Sequence, residues 1–107
     1  MLHALRAVLP AEDFIYLGDT ARLPYGTKSR ASVIRYSMQA AEALIARDIK
    51  CLVVACNTAS AFALGGLRER CAPLPVVGVV EPGAQAACAA SRTGHIVVIG
   101  TEGTVQG

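Results

Sequence analysis

The chain has 107 residues, which limits it to one domain or part of one. Ten Lys and Arg against eight Asp and Glu leave a net charge of +2, too small and too scattered for an electrostatic nucleic-acid binder. A hydrophobic share of 53% excludes global disorder, and no apolar run approaches the roughly 18 residues of a membrane span.

The opening residues, Met1 to Arg6, lack a basic start, a long apolar middle and a small-residue cleavage site, so no signal peptide is expected. Aromatic residues make up 5% with no Trp, which disfavours stacking platforms for bases or sugars. The four cysteines lie at 51, 56, 71 and 88 without a C-x-x-C pair, and His3 and His95 are the only histidines. That spacing fits no common zinc site, so no metal is expected. The Ala- and Val-rich composition also disfavours a disulfide mini-protein. A reducing cytoplasm is the expected location, with most cysteines serving as small core hydrophobes.

In chain order, residues 2–9 carry Leu2, Leu5, Val8 and Leu9 and read as the tail of an amphipathic helix. Phe14-Ile15-Tyr16-Leu17 reads as a strand. Ser29 is placed to cap a helix to about Arg47, with Ile34, Met38, Ala41 and Ile45 at helical spacing. Cys51-Leu52-Val53-Val54-Ala55 is the continuous apolar run of a strand buried on both faces. A helix follows from about Ala59 to Arg70, then Pro73 and Pro75 precede a strand at 76–80. Glu81-Pro82-Gly83 opens a helix to about Ser91, Gly94 makes a turn, and His95-Ile96-Val97-Val98-Ile99 is the last expected strand. The alternation predicts an α/β fold: a parallel sheet with helices on both faces, a Rossmann-like three-layer arrangement. It is expected to be incomplete at both ends, because a domain of this kind begins with a strand and a further helix should follow residue 101.

In an open parallel sheet, ligands bind outside the carboxyl ends of the strands. Polar residues gather there in four segments: 18–20, 56–58, 81–83 and 100–104. Cys56 stands out, because it follows a buried strand and precedes a helix N-terminus, where unpaired N–H groups favour a thiolate. A phosphatase loop would need Arg at position 62, where Phe62 stands. A hydrolase triad lacks a base, since His95 falls at the opposite sheet edge. Asn57 and Thr58 can bind a carboxylate or amine, or cap the helix. The loop Leu23-Pro24-Tyr25-Gly26-Thr27 is longer than an ordinary connection and can bring backbone N–H groups to an anion. Asp19 is a cap or an acid facing the site. Gly100-Thr101-Glu102-Gly103-Thr104 lacks the Lys-Ser/Thr ending of a phosphate loop, and its threonines serve a ligand or cap the next helix. The pair Gly65-Gly66 inside a helix has no functional reading.

Gly18-Asp19-Thr20-Ala21-Arg22-Leu23-Pro24-Tyr25-Gly26 resembles a characteristic loop of bacterial glutamate racemases. Val53 to Ser60, with its Cys-Asn-Thr core, resembles their first catalytic-cysteine segment. Val77 to Gly83 and Ile99 to Thr104 match later strand ends in the same order. Cys-Asn-Thr alone is shared with the wider aspartate/glutamate racemase superfamily; the Pro-Tyr-Gly loop at this spacing points to glutamate. The resemblance implies a cofactor-independent two-base racemase that supplies D-glutamate for peptidoglycan, with its site between two α/β domains and a homo-oligomeric whole enzyme. By the same resemblance Cys56 is one base. Pro24, Tyr25, Gly26, Asn57 and Thr58 hold glutamate, and Thr101 and Thr104 line the pocket. The family's first strand, ending in Asp-Ser, and its second cysteine and second domain have no counterpart in residues 1–107. The chain therefore reads as part of the N-terminal domain, inactive and aggregation-prone alone. The competing readings are an aspartate or other amino-acid racemase of the same superfamily, and a non-catalytic fragment that only binds a partner.

Overall fold

The computed structural model describes residues 1–107. Five α-helices and a two-stranded parallel sheet follow in the order α1 (Leu2–Val8), α2 (Arg30–Ile45), β1 (Leu52–Val53), α3 (Asn57–Cys71), β2 (Val76–Val77), α4 (Val80–Ala90) and α5 (Glu102–Gln106). Two short 3-10 turns, Thr20–Arg22 and Tyr25–Thr27, shape the loop before α2. None of the helices is long and apolar enough to cross a membrane.

The Ser29 hydroxyl accepts the Ser32 N–H at 3.1 Å and starts α2 as expected. The chain turns after α2 at Asp48, whose φ of 57° is left-handed backbone that Asp tolerates better than most residues. In the sheet Leu52 pairs with Val76 and Val53 with Val77. The core lies on one face of it, where Ala41 of α2 meets Leu52, Val76, and Ala63, Leu67 and Cys71 of α3. The buried stripe of α2 is Val33, Ser37 and Ala41, with Ile34, Met38 and Leu44 only half-buried against the core. Expected Ile45 is exposed. The seam is thus rotated by about one position from the expected one, because α2 packs mainly against α3 rather than squarely on the strands.

Two expected strands are corrected. Phe14–Leu17 and His95–Ile99 follow strand-like sequence but enter no ladder. A ladder needs a neighbouring backbone about 4.8 Å away, and neither segment has one. A cleft of about 490 Å³ separates residues 15–17 from 52–55. On its far wall β1 presents an unpaired edge. The Leu52 N–H bonds Pro75 C=O and the Val54 N–H bonds Val77 C=O, so the peptide groups of Val53 between them point away from β2, towards the cleft. At the other end of the chain Val97 is 90% exposed and Ile99 is 96% exposed. Hydrophobic sequence alone does not make a strand.

The cysteines divide differently from expectation. Cys71 is a buried core residue, whereas Cys51 and Cys88 are exposed along with Cys56, and all four are free thiols. The glycine pair in α3 is half explained. A Cβ on Gly66 would lie 3.0 Å from the Met38 Cε, so this glycine lets α2 approach closely, while Gly65 faces open space.

Candidate active site

The site is built where β1 gives way to α3. Cys56 is the N-cap: its backbone is extended and its Sγ accepts the Ala59 N–H at 3.4 Å. The cap is therefore the cysteine itself rather than Asn57 or Thr58, and it leaves the thiol exposed at the mouth of the cleft. Asn57 is exposed at the first position of α3 and does not line the cleft. Thr58 is buried and faces the cleft.

Pro24, Tyr25 and Gly26 enter the same cleft from the opposite side, with Asp19 beside them. The loop is braced from within. The Tyr25 hydroxyl donates to the Asp19 carboxylate, and the Arg22 Nε donates to Asp19 Oδ1 at 3.0 Å. The Arg22 guanidinium also lies over the Tyr36 ring, 4.2 Å from its centre. The hydrogen bond from Tyr25 outweighs the opposing effect of burial and, with the Arg22 contact, holds the Asp19 carboxyl below the ordinary carboxylate range. Burial, and then the Asp19 carboxylate, push the Tyr25 hydroxyl well above the ordinary tyrosine range, so it stays a donor. Asp19, left open between cap and acid by the sequence, is thus the anchor of the loop.

Gly26 permits a close approach, since a Cβ there would lie 2.6 Å from the Thr101 Cγ2. Thr101 caps α5 by accepting the Thr104 N–H at 3.3 Å. Its hydroxyl also bonds those of Thr58 at 2.8 Å and Thr104 at 2.9 Å. One hydroxyl has one donor and two acceptor positions, so Thr101 is fully engaged and meets the cleft through its neighbours. Pro24, Tyr25, Gly26, Cys56 and Thr58 thus share one cleft. Thr101 and Thr104 join it by a chain of hydroxyls, and Asn57 is not brought into it.

The cleft is apolar in depth, where Leu44, Leu52 and Val54 line it, and polar at its mouth. The Cys56 thiol, the Thr58 hydroxyl and the braced 24–26 loop converge there at the carboxyl end of a parallel strand. This is the layout of a small-molecule site in an open α/β fold, with a cysteine as a candidate base or nucleophile. A family model described as Asp/Glu/Hydantoin racemase matches residues 1–107, and the chain belongs to that family. It is 58% identical over 106 residues to a glutamate racemase of Geobacter metallireducens, covering 99% of this chain and 39% of that protein. Its structure superposes on the glutamate racemase from Aquifex pyrophilus with a TM-score of 0.92 and 48% identity, covering 97% of this chain and 41% of the other. A glutamate racemase from Francisella tularensis, solved in complex with D-glutamate, matches with a TM-score of 0.85 and 38% identity, covering 97% and 38%. The chain spans about two-fifths of the length of these relatives. The parallel α/β fold is thus that of the glutamate racemases over the part it spans.

Neither the complete Arg22–Asp19–Tyr25 brace nor the bonds of the Ser60 hydroxyl is evident from the sequence. Opposite charges three residues apart at 19 and 22 were a usable signal for the first contact. Nothing in the spacing announced Tyr25 on the same carboxylate.

Proposed function

We propose that this chain supplies one half of a cofactor-independent glutamate racemase site, with the Cys56 thiolate as the base on one face of the substrate Cα. The observation that carries this is the position of Cys56: exposed, at the carboxyl end of β1, its Sγ held by the Ala59 N–H, across a cleft from Pro24-Tyr25-Gly26. The relatives named above are glutamate racemases, and one was solved with D-glutamate, which supports glutamate as the substrate.

In this mechanism the Cys56 thiolate takes the α-proton from one enantiomer and becomes a thiol. The carbanion electrons are delocalised into the α-carboxylate, and a second thiol on the opposite face delivers the proton that inverts the centre. None of Cys51, Cys71 and Cys88 lines the Cys56 cleft; on this reading the second thiol comes from a second domain and residues 1–107 form part of the N-terminal one, which the chain's span of about two-fifths of its relatives supports. Pro24, Tyr25 and Gly26 fix one wall. Asn57 and Thr58 offer an amide and a hydroxyl to the substrate carboxylates and amine. Thr104, with Thr101 between it and Thr58, completes the polar rim. The product role that follows is supply of D-glutamate to peptidoglycan synthesis.

The test replaces the aligned 106 residues of the Geobacter metallireducens relative with those of this chain. The chimera is expected to interconvert L- and D-glutamate and to exchange the α-proton in D2O. Cys56→Ala in the chimera is expected to abolish racemisation. A folded chimera that leaves the glutamate α-proton unexchanged, or a Cys56→Ala chimera that still racemises, refutes the assignment. A clear preference for aspartate transfers it to the sister activity.

A further inference from the structure

Ser60 occupies an unusual place in the sheet. The rungs from Leu52 N–H to Pro75 C=O at 2.9 Å and from Val54 N–H to Val77 C=O at 2.8 Å set the parallel register. In that register the next rung would join Val79 N–H to Val54 C=O. It does not form directly. The Ser60 hydroxyl stands between the two groups, donating to Val54 C=O at 3.0 Å and accepting the Val79 N–H at 3.3 Å. The side chain that does this is buried, at 5% exposure. Gly78 makes room for it: a Cβ there would lie 3.3 Å from the Ser60 Oγ and 2.7 Å from the Leu64 Cδ2.

The inserted hydroxyl wedges the carboxyl ends of β1 and β2 apart and ends both strands earlier than their sequences suggest. It also fixes the chain on either side of Ala55 and Cys56. Val54 is held by its amide to β2 and by its carbonyl to Ser60, while the Ser60 N–H bonds the Cys56 C=O at 2.9 Å. The turn that carries Cys56 is therefore clamped at both ends by one residue, and within it the Ala59 N–H holds the Cys56 Sγ.

We propose that Ser60 is a positioning residue for Cys56, a role that rests on reading Cys56 as the base. Its hydroxyl keeps the last rung open so that the thiol is presented at the helix N-terminus. With alanine at this position Val79 N–H and Val54 C=O can close on each other, which lengthens the ladder and draws the Cys56 turn out of place.

The test uses the 107-residue chain and needs no substrate, so it is independent of the chimera's activity. Peptide-resolved mass spectrometry follows alkylation of each cysteine by iodoacetamide at neutral pH. Cys71, buried in the core, reports that the fold is intact, and exposed Cys51 and Cys88 report any general change in reactivity. Ser60→Ala is expected to slow Cys56 alkylation about threefold to tenfold, the effect of losing the Ala59 N–H bond to the Cys56 Sγ as the turn moves, with Cys71 still protected. Ser60→Thr, which keeps the hydroxyl, is expected to restore the wild-type rate. Wild-type Cys56 reactivity in Ser60→Ala with Cys71 protected overturns the proposal, as does a Ser60→Thr protein as slow as Ser60→Ala. Should Ser60→Ala expose Cys71, Ser60→Thr decides: a wild-type rate supports the role and a slowed one overturns it.

Discussion

Gly65, Gly66 and Gly78 should respond to alanine in three different ways. Gly65 is the ninth of fifteen residues in α3, exposed, and a Cβ there meets nothing within 4 Å. Gly65→Ala therefore recovers the full helix-propensity difference of about 0.8–1 kcal/mol, on the order of a 4–8 °C rise in melting midpoint for a domain of this size. Gly66→Ala recovers the same backbone gain but places a methyl 3.0 Å from the Met38 Cε. The flexible Met38 methyl must give by a few tenths of an ångström, which offsets part of that gain, so the net stabilisation is smaller than at Gly65. Gly78→Ala gains nothing from helix propensity and drives a Cβ to 2.7 Å from Leu64 Cδ2 and 3.1 Å from its Cδ1. It should destabilise by about 1–3 kcal/mol. Urea unfolding followed by circular dichroism gives all three values. If Gly66→Ala proves as stabilising as Gly65→Ala, or Gly78→Ala is neutral, the α2–α3 and α3–β2 contacts described above are wrong.

The Asp19–Tyr25 contact has a defined pH window. Asp19, with its value lowered, contributes stability that is present above the ordinary carboxylate range and lost as pH falls through the lowered value. Tyr25, with its value raised, contributes stability that is present below the ordinary tyrosine range and lost only as pH rises through the raised value. Asp19→Asn should therefore shift Tyr25 ionisation to lower pH, read by tyrosinate ultraviolet absorbance with Tyr25→Phe as the assignment; an unchanged titration would sink the brace. The nearly bare Val97 and Ile99 side chains should make the chain associate as its concentration rises. Light scattering should register this, and Val97→Lys with Ile99→Lys should suppress it; a wild-type chain that stays monodisperse at high concentration contradicts the open apolar surface.

Much of this protein is local physics that the sequence carries. Ser29 begins α2 because a serine oxygen satisfies a helix N–H, and that is readable before any fold is known. Cys56 could be singled out from its place between an apolar run and a helix, and the Pro-Tyr-Gly loop from its turn residues. Pairing is what the sequence could not decide. Phe14–Leu17 and His95–Ile99 have strand composition, but a strand exists only where a second backbone lies alongside, and that depends on residues distant in the chain. The same holds for chemistry. Asp19 became an anchor because folding brought Tyr25 and Arg22 onto one carboxylate, and Thr101 became saturated because Thr58, forty-three positions away, reached its hydroxyl. Ser60, one helical turn past the cysteine, gained its place only when β2 arrived in register and left a rung for a hydroxyl to fill. Sequence marked the helices and the candidate cysteine; the tertiary structure chose the partners, because hydrogen bonds and packing are made between surfaces that only folding brings together.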